Sequence, residues 1–70
     1  MAKVYVVTRA KPMGYERYVT VKATKKEAEK VIRAEYPNAR KSENSPDMVD
    51  FECKNRDGSW ELMFIHEETI

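Results

Sequence analysis

The chain has very few of the residues that build metal, disulfide and phosphate sites. It holds one cysteine, one histidine and two glycines among seventy residues. A structural zinc site needs about four nitrogen or sulfur ligands, and a phosphate-cradling loop needs several closely spaced glycines. The sequence therefore predicts no metal and no cofactor, and it shows no motif for a small-molecule substrate.

Long apolar runs are also missing. The run from Val4 to Val7 is far shorter than the roughly 18 apolar residues of a membrane span or the roughly 7–15 of a signal peptide core. The lone Cys53 cannot form an internal disulfide, and a free thiol suits a reducing compartment. We therefore expect a cytoplasmic protein with no membrane association.

Catalytic residues are scarce as well. Cys53 and His66 form the one candidate pair of nucleophile and base. In the preferred register of the second hairpin, His66 lies opposite Val49, four residues along the strand from Cys53. The two side chains are then about 13 Å apart, whereas a hydrogen bond requires about 3 Å. The carboxylates of the second half fit solvated strand faces better than a paired acid and base. We expect the protein not to be an enzyme.

Charge is distributed unevenly along the chain. Residues 1–42 hold eleven Lys and Arg against four Asp and Glu, whereas residues 43–70 hold two against eight, so a net charge of +1 conceals halves of +7 and −6. Such asymmetry concerns binding partners more than fold.

The residue pattern predicts one domain, residues 1–70, that consists of a hairpin, a helix and a second hairpin. Thr24 and Glu27 form a capping box at the helix start, and Pro37 ends the helix. Residues 38–46 lack periodicity and are expected to be a polar connection. The expected elements are strands at 3–9, 15–22, 48–54 and 59–67 and a helix at 25–36.

The first and last strands are apolar on both sides, which is typical of central strands, whereas the second and third are more polar. We therefore expect an α+β fold: a two-layer ββαββ arrangement with a four-stranded sheet of order 2-1-4-3 and one helix on one face. A right-handed crossover joins the second and third strands. This order resembles the β-grasp layout of ubiquitin-like and immunoglobulin-binding domains in topology.

The second hairpin admits two registers. A two-residue type I′ turn at Asp57 and Gly58 pairs Phe51 with Phe64, and we prefer it because it keeps the apolar side chains together. A type I turn over residues 55–58 with a glycine bulge shifts the pairing by one residue and changes the face that the last strand buries.

One helix covers one face of such a sheet, so the other face is left open. With the preferred register the helix-facing set is Val4, Val6, Val19, Val21, Val49, Phe51, Leu62 and Phe64. The open side then carries an apolar patch typical of an interaction surface, and its candidate residues are Tyr5, Val7, Tyr18, Met63 and Ile65. Its expected rim, basic beside one hairpin and acidic beside the other, suits a protein partner or an isologous homodimer.

The alternative function is that of a nucleic-acid-binding accessory protein. Cationic side chains concentrate on the first hairpin and along the helix, and tyrosines there offer stacking platforms. The acidic second hairpin and a pI near 7.8 argue against this alternative. The candidate contacts are Lys3, Arg9, Lys11, Arg17, Lys22, Lys26, Lys30 and Arg33.

Overall fold

The computed structural model describes residues 2–11, 14–45 and 47–70. Its elements are β1 (Lys3–Ala10), β2 (Arg17–Lys22), α1 (Lys25–Glu35), β3 (Arg40–Ser45), β4 (Met48–Lys54) and β5 (Trp60–Thr69). The expected α+β class, with one helix against a sheet, fits this architecture. Pro12 and Met13 of the expected first turn and Pro46 of the expected connection lie outside the described residues.

Helix α1 begins where the capping box places it. The Thr24 hydroxyl accepts a hydrogen bond from the Glu27 amide at 3.1 Å, which satisfies one of the amides left free at a helix start. Ala28 and Ile32, one turn apart, are fully buried against the sheet. The helix ends at Glu35, and the Tyr36 amide still donates to the Ile32 carbonyl at 2.8 Å.

Strand β3 corrects the prediction of a polar connection at residues 38–46. It pairs antiparallel with β4 at the sheet edge, where Arg40 lies opposite Glu52 and Lys41 opposite Phe51. Residues 40–43 are exposed on both sides of the sheet, so their sequence carries no alternation of apolar and polar residues. Main-chain pairing holds this strand, together with the contact of Lys41 with Glu29 of α1 at 3.0 Å.

The extra strand also reverses the direction of the second hairpin. The sheet has five strands in the order β2-β1-β5-β4-β3, and each adjacent pair is antiparallel. The predicted order of four strands is preserved within it, with β3 added at the edge beyond β4. A β-grasp sheet pairs its first and last strands in parallel, whereas β1 and β5 run antiparallel. The predicted four-stranded, β-grasp-like layout is therefore wrong.

The second hairpin adopts the register that we considered less favourable. Lys54 lies opposite Trp60, and Phe51 lies opposite Met63 instead of Phe64. The Gly58 amide donates to the Asn55 carbonyl at 3.0 Å, the Asn55 amide donates to the Ser59 carbonyl at 2.8 Å, and Gly58 has a φ of 91°. This is the turn with a glycine bulge, in which only glycine accepts the left-handed backbone without strain.

The one-residue shift exchanges the two faces of β5, and with it those of β1. A strand alternates its side chains with a period of two, so a slip by one residue moves every side chain to the opposite face. The core between helix and sheet therefore contains the residues predicted to point outward on these strands. Its buried members are Val7, Ala28, Ile32, Ala39, Val49, Phe51, Cys53, Met63 and Ile65.

Candidate interaction face

The side of the sheet away from α1 carries an apolar strip across its centre. Side chains alternate between the two faces of a strand, so on β1 and β5 the strip is formed by the residues next to the buried Val7, Met63 and Ile65. Val21 lies opposite Val6 and Tyr18 opposite Thr8, so the strip continues onto β2. No helix or strand in the described part of the chain covers it. We call this surface the open face; its apolar and aromatic members are Val4, Val6, Tyr18, Val21, Met48, Trp60, Leu62 and Phe64.

The predicted interaction residues do not form this surface. Val7, Met63 and Ile65 are 0%, 1% and 2% exposed, so their predicted outward orientation is wrong. Tyr5 is half-buried, packs against the core and places its hydroxyl 3.4 Å from Glu67. Tyr18, 68% exposed, is the one residue of the predicted set that lies on the open face.

A carboxylate reaches onto the open face from the residue before β2. Glu16 Oε1 accepts a hydrogen bond from the Thr8 hydroxyl at 2.5 Å and also contacts His66 Nε2. These hydrogen bonds, first from Thr8 and then from His66, lower the pKa of the Glu16 carboxyl. The His66 ring in turn lies 5.9 Å from the Phe64 ring, centroid to centroid. Glu16, which precedes β2, thus contacts both central strands, β1 through Thr8 and β5 through His66.

The charges around the open face differ from the predicted rim. Arg9 and Arg17 lie opposite each other and share the helix side with Val7, so the basic residues of the first hairpin point away from the open face. Asp50 and Glu52, opposite Phe64 and Leu62, lie on the open face, and so do Arg40, opposite Glu52, and Lys54, opposite Trp60. The expected match of a basic half with an acidic half in an isologous dimer is therefore wrong.

Three of the eight predicted nucleic-acid contacts form ion pairs with carboxylates of the domain itself. Lys3 lies 3.5 Å from Glu67, and Arg9 contacts Glu35 and lies 3.1 Å from Glu61. Arg33 contacts Glu29 at 3.5 Å, donates to the Ala39 carbonyl and lies 5.4 Å from the Phe51 ring centroid.

Five predicted contacts make no ion pair with any of the described residues: Lys11, Arg17, Lys22, Lys26 and Lys30. They lie on the first hairpin and along α1, and the open face contains none of the eight.

A polar network joins the end of α1 to the second hairpin. The Tyr36 hydroxyl lies 2.7 Å from Glu61 Oε2 and 2.7 Å from Asn55 Oδ1. One hydroxyl hydrogen serves one acceptor at a time, so the Tyr36 hydroxyl donates to either Glu61 or Asn55, and the Asn55 amide nitrogen donates to the Ser59 hydroxyl at 3.0 Å. Burial, followed by the contact with Glu61, raises the pKa of Tyr36.

Cys53 and His66 lie on opposite faces of the sheet. Cys53 is fully buried on the helix side, opposite Glu61, whereas His66 points to the open face. Burial raises the pKa of the Cys53 thiol to about 11. A thiolate nucleophile activated by this histidine is therefore excluded by geometry and by proton affinity.

Comparison with known proteins gives no match: no protein-family model, curated protein or solved structure resembles the chain. Among residues 2–11, 14–45 and 47–70, no helix is long and apolar enough to cross a membrane. The same residues contain no group of three His, Cys, Asp or Glu side chains placed to hold a metal ion.

Proposed function

We propose that the chain is a small protein-interaction module that binds a protein partner through its open face. The observation that carries the proposal is the uncovered apolar strip over β2, β1 and β5, centred on Val6 and Phe64. Contiguous apolar surface rimmed by charge is typical of binding surfaces, and aromatic side chains are enriched at their centres. A cytoplasmic location, favoured by the lone thiol, belongs to the same proposal.

The charges on the open face favour a different protein over a second copy of the chain. Asp50 and Glu52 flank the apolar strip on β4, and Glu16 reaches across it from the other side. The cations of this side, Arg40 and Lys54, lie at the end of the sheet. Two open faces brought together strip against strip would place carboxylates against carboxylates, and such like-charge contacts disfavour association. The complementary partner surface is apolar, with basic groups facing the carboxylates beside the strip.

Affinity capture from an extract of the native host tests the proposal. The bait is the full chain, and the comparison bait carries Tyr18→Lys and Phe64→Lys, which replace two rings of the open face by cations. A matched control, Ala23→Lys with Ala34→Lys, adds the same charge at two exposed positions outside the open face.

The proposal predicts a protein retained by the wild type and by the control and lost from the open-face variant. It fails if the open-face variant retains the same proteins as the wild type, or if the wild type retains none. Sedimentation of the wild type over a concentration range addresses self-association, and we expect a monomer at high micromolar concentration.

A further inference from the structure

A groove of about 550 Å³ lies at the end of the sheet and adjoins the open face at Glu52. Its walls are the end of α1, the start of β3 and the turn between β4 and β5. A volume of this size falls within the range of small-ligand sites, roughly 300–1,000 Å³. The groove therefore has room for one or two units of an extended ligand.

Trp60, the single tryptophan of the chain, lines this groove. Its side chain is 46% exposed, although a tryptophan ring carries more apolar surface than any other side chain. The Lys54 ammonium, on the strand directly opposite, lies 5.9 Å from the ring centroid. The ammonium over the ring is a cation–π contact. The exposed part of the ring can stack on a planar ligand, and the adjacent cation favours a ligand with negative charge.

The charged side chains of the groove leave an excess of cations. Arg40, Lys54 and Arg56 make no ion pair with any residue that the structure describes. Two carboxylates line the groove as well: Glu52, and Glu35, which contacts Arg9, a residue that Glu61 also contacts. The groove lining therefore carries three cations without an ion pair against two carboxylates.

A second concavity lies beside the first hairpin. It measures about 270 Å³, and its lining includes Lys11, Arg17 and the 92% exposed ring of Tyr15. Glu61 lines the second concavity and Tyr36 lines the first, and the two are joined by the hydrogen bond between Tyr36 and Glu61. Two exposed rings, each with unpaired cations beside it, thus lie at adjoining concavities.

We propose that this end of the domain binds single-stranded nucleic acid, with one base stacked on Trp60 and the phosphates held by Arg40, Lys54 and Arg56. Binding of single strands without sequence reading combines a cationic groove with aromatic rings on which bases stack. Tyr15 receives a further base when the strand continues into the second concavity. Trp60, Lys54 and Arg40 lie on the same side of the sheet as the open face, at its end, so this site adjoins the protein-binding surface. Of the predicted nucleic-acid contacts, it includes Lys11 and Arg17 of the first hairpin and none of the helix.

The single tryptophan provides a direct assay. A thymidine 12-mer titrated into the full chain at 50 mM salt is expected to quench Trp60 emission and to raise the fluorescence polarisation of the labelled oligonucleotide. Three phosphate contacts predict a roughly 20-fold loss of affinity between 50 and 200 mM salt. Unchanged Trp60 emission while the oligonucleotide binds would overturn the proposal, as would no binding at 50 mM salt.

Variants separate this groove from the rest of the cationic surface. Trp60→Ala is expected to weaken binding by roughly 5- to 150-fold, the range for loss of one stacked base, whereas Trp60→Phe keeps most of it. Lys54→Gln with Arg56→Gln should weaken binding, and the matched control Lys26→Gln with Lys30→Gln on α1 should not. Equal loss in that control places the contacts on the helix and contradicts the proposal.

Two other ligands test the chemical class. A duplex of the same length and a polyglutamate of equal charge offer anionic groups without free bases, and each is expected to bind at least tenfold more weakly. Comparable quenching of Trp60 by polyglutamate would assign the groove to acidic peptides. Comparable affinity for the duplex would show that no free base is required. Either result contradicts the proposal.

Discussion

Phe51 lies directly opposite Met63 across β4 and β5, and both side chains are fully buried beneath α1. This pairing determines which side chains of β4, β5 and β1 face the helix. Strand β5 lies between β4 and β1, and residues that pair across neighbouring strands point to the same face of the sheet. It buries Val7 on β1 and turns Val6 and Phe64 outward. The open face is thus a consequence of one hairpin register.

The neighbouring residues Met63 and Phe64 should respond oppositely to a charge. Met63→Lys places an unpaired ammonium in the core, and its cost should exceed the roughly 3–5 kcal/mol available to a domain of this size. Phe64→Lys places the ammonium on the open face opposite Asp50, so the domain stays folded. Circular dichroism melts compare the two variants. A folded Met63→Lys beside an unfolded Phe64→Lys would refute the face assignment.

Gly58 should tolerate no side chain without a backbone cost. Its φ of 91° lies in the left-handed region, and a methyl group there meets no atom within 4 Å, so the cost is conformational alone. Gly58→Ala is expected to lower the free energy of unfolding by about 1–2 kcal/mol. Gly58→Asn should lower it less, because asparagine enters this region more readily. Equal values from denaturant unfolding would argue against the bulged turn.

Acid should release the hydrogen bonds of Glu16. The pKa of this carboxyl is lowered in the folded state, so its contribution to stability is present above the unfolded pKa and is lost as pH falls through the folded pKa. Thr8→Val removes the largest cause and should move the pKa of Glu16 towards its ordinary value. Carboxyl chemical shifts followed between pH 2 and pH 6 measure this change. An unaltered titration in the variant would show that Thr8 does not hold the carboxylate.

Cys53 should react only when the domain opens. Its thiol is fully buried and has a pKa raised to about 11, so few thiolates exist at pH 8 and none is accessible. A disulfide reagent such as 5,5′-dithiobis(2-nitrobenzoate) should label the native protein at a rate that rises steeply with denaturant and reaches completion at once in the unfolded chain. Rapid labelling without denaturant would contradict the buried position.

The parts of the fold that local chemistry determines could be predicted from the sequence. Thr24 and Glu27 mark the helix start through a specific hydrogen bond, and the strict alternation of residues 48–54 marks a strand with one buried face. Strand β3 escaped prediction because its side chains at residues 40–43 are exposed on both sides, and only main-chain pairing makes it a strand.

The candidate sites depended on long-range information. Strands β1 and β5 carry apolar side chains on both faces, so their own sequence does not show which face is buried. The turn at Gly58 sets the register of β5 against β4 and thereby determines the buried face. The pairing of β3 with β4 places Arg40 in the same groove lining as Lys54. Because β3 was not predicted as a strand, this neighbour could not be predicted either. The sequence does offer one signal there, a lone tryptophan two residues after Gly58.

The most direct measurement of the central claim is photo-cross-linking in the native host. Phe64 is replaced by p-benzoylphenylalanine, which conserves an aromatic ring on the open face, and the control carries the same residue in place of exposed Lys30 on α1. We expect a protein adduct of defined mass from position 64 and none from position 30. Adducts from position 30 alone, or the same adducts from both positions, would contradict a binding function of the open face.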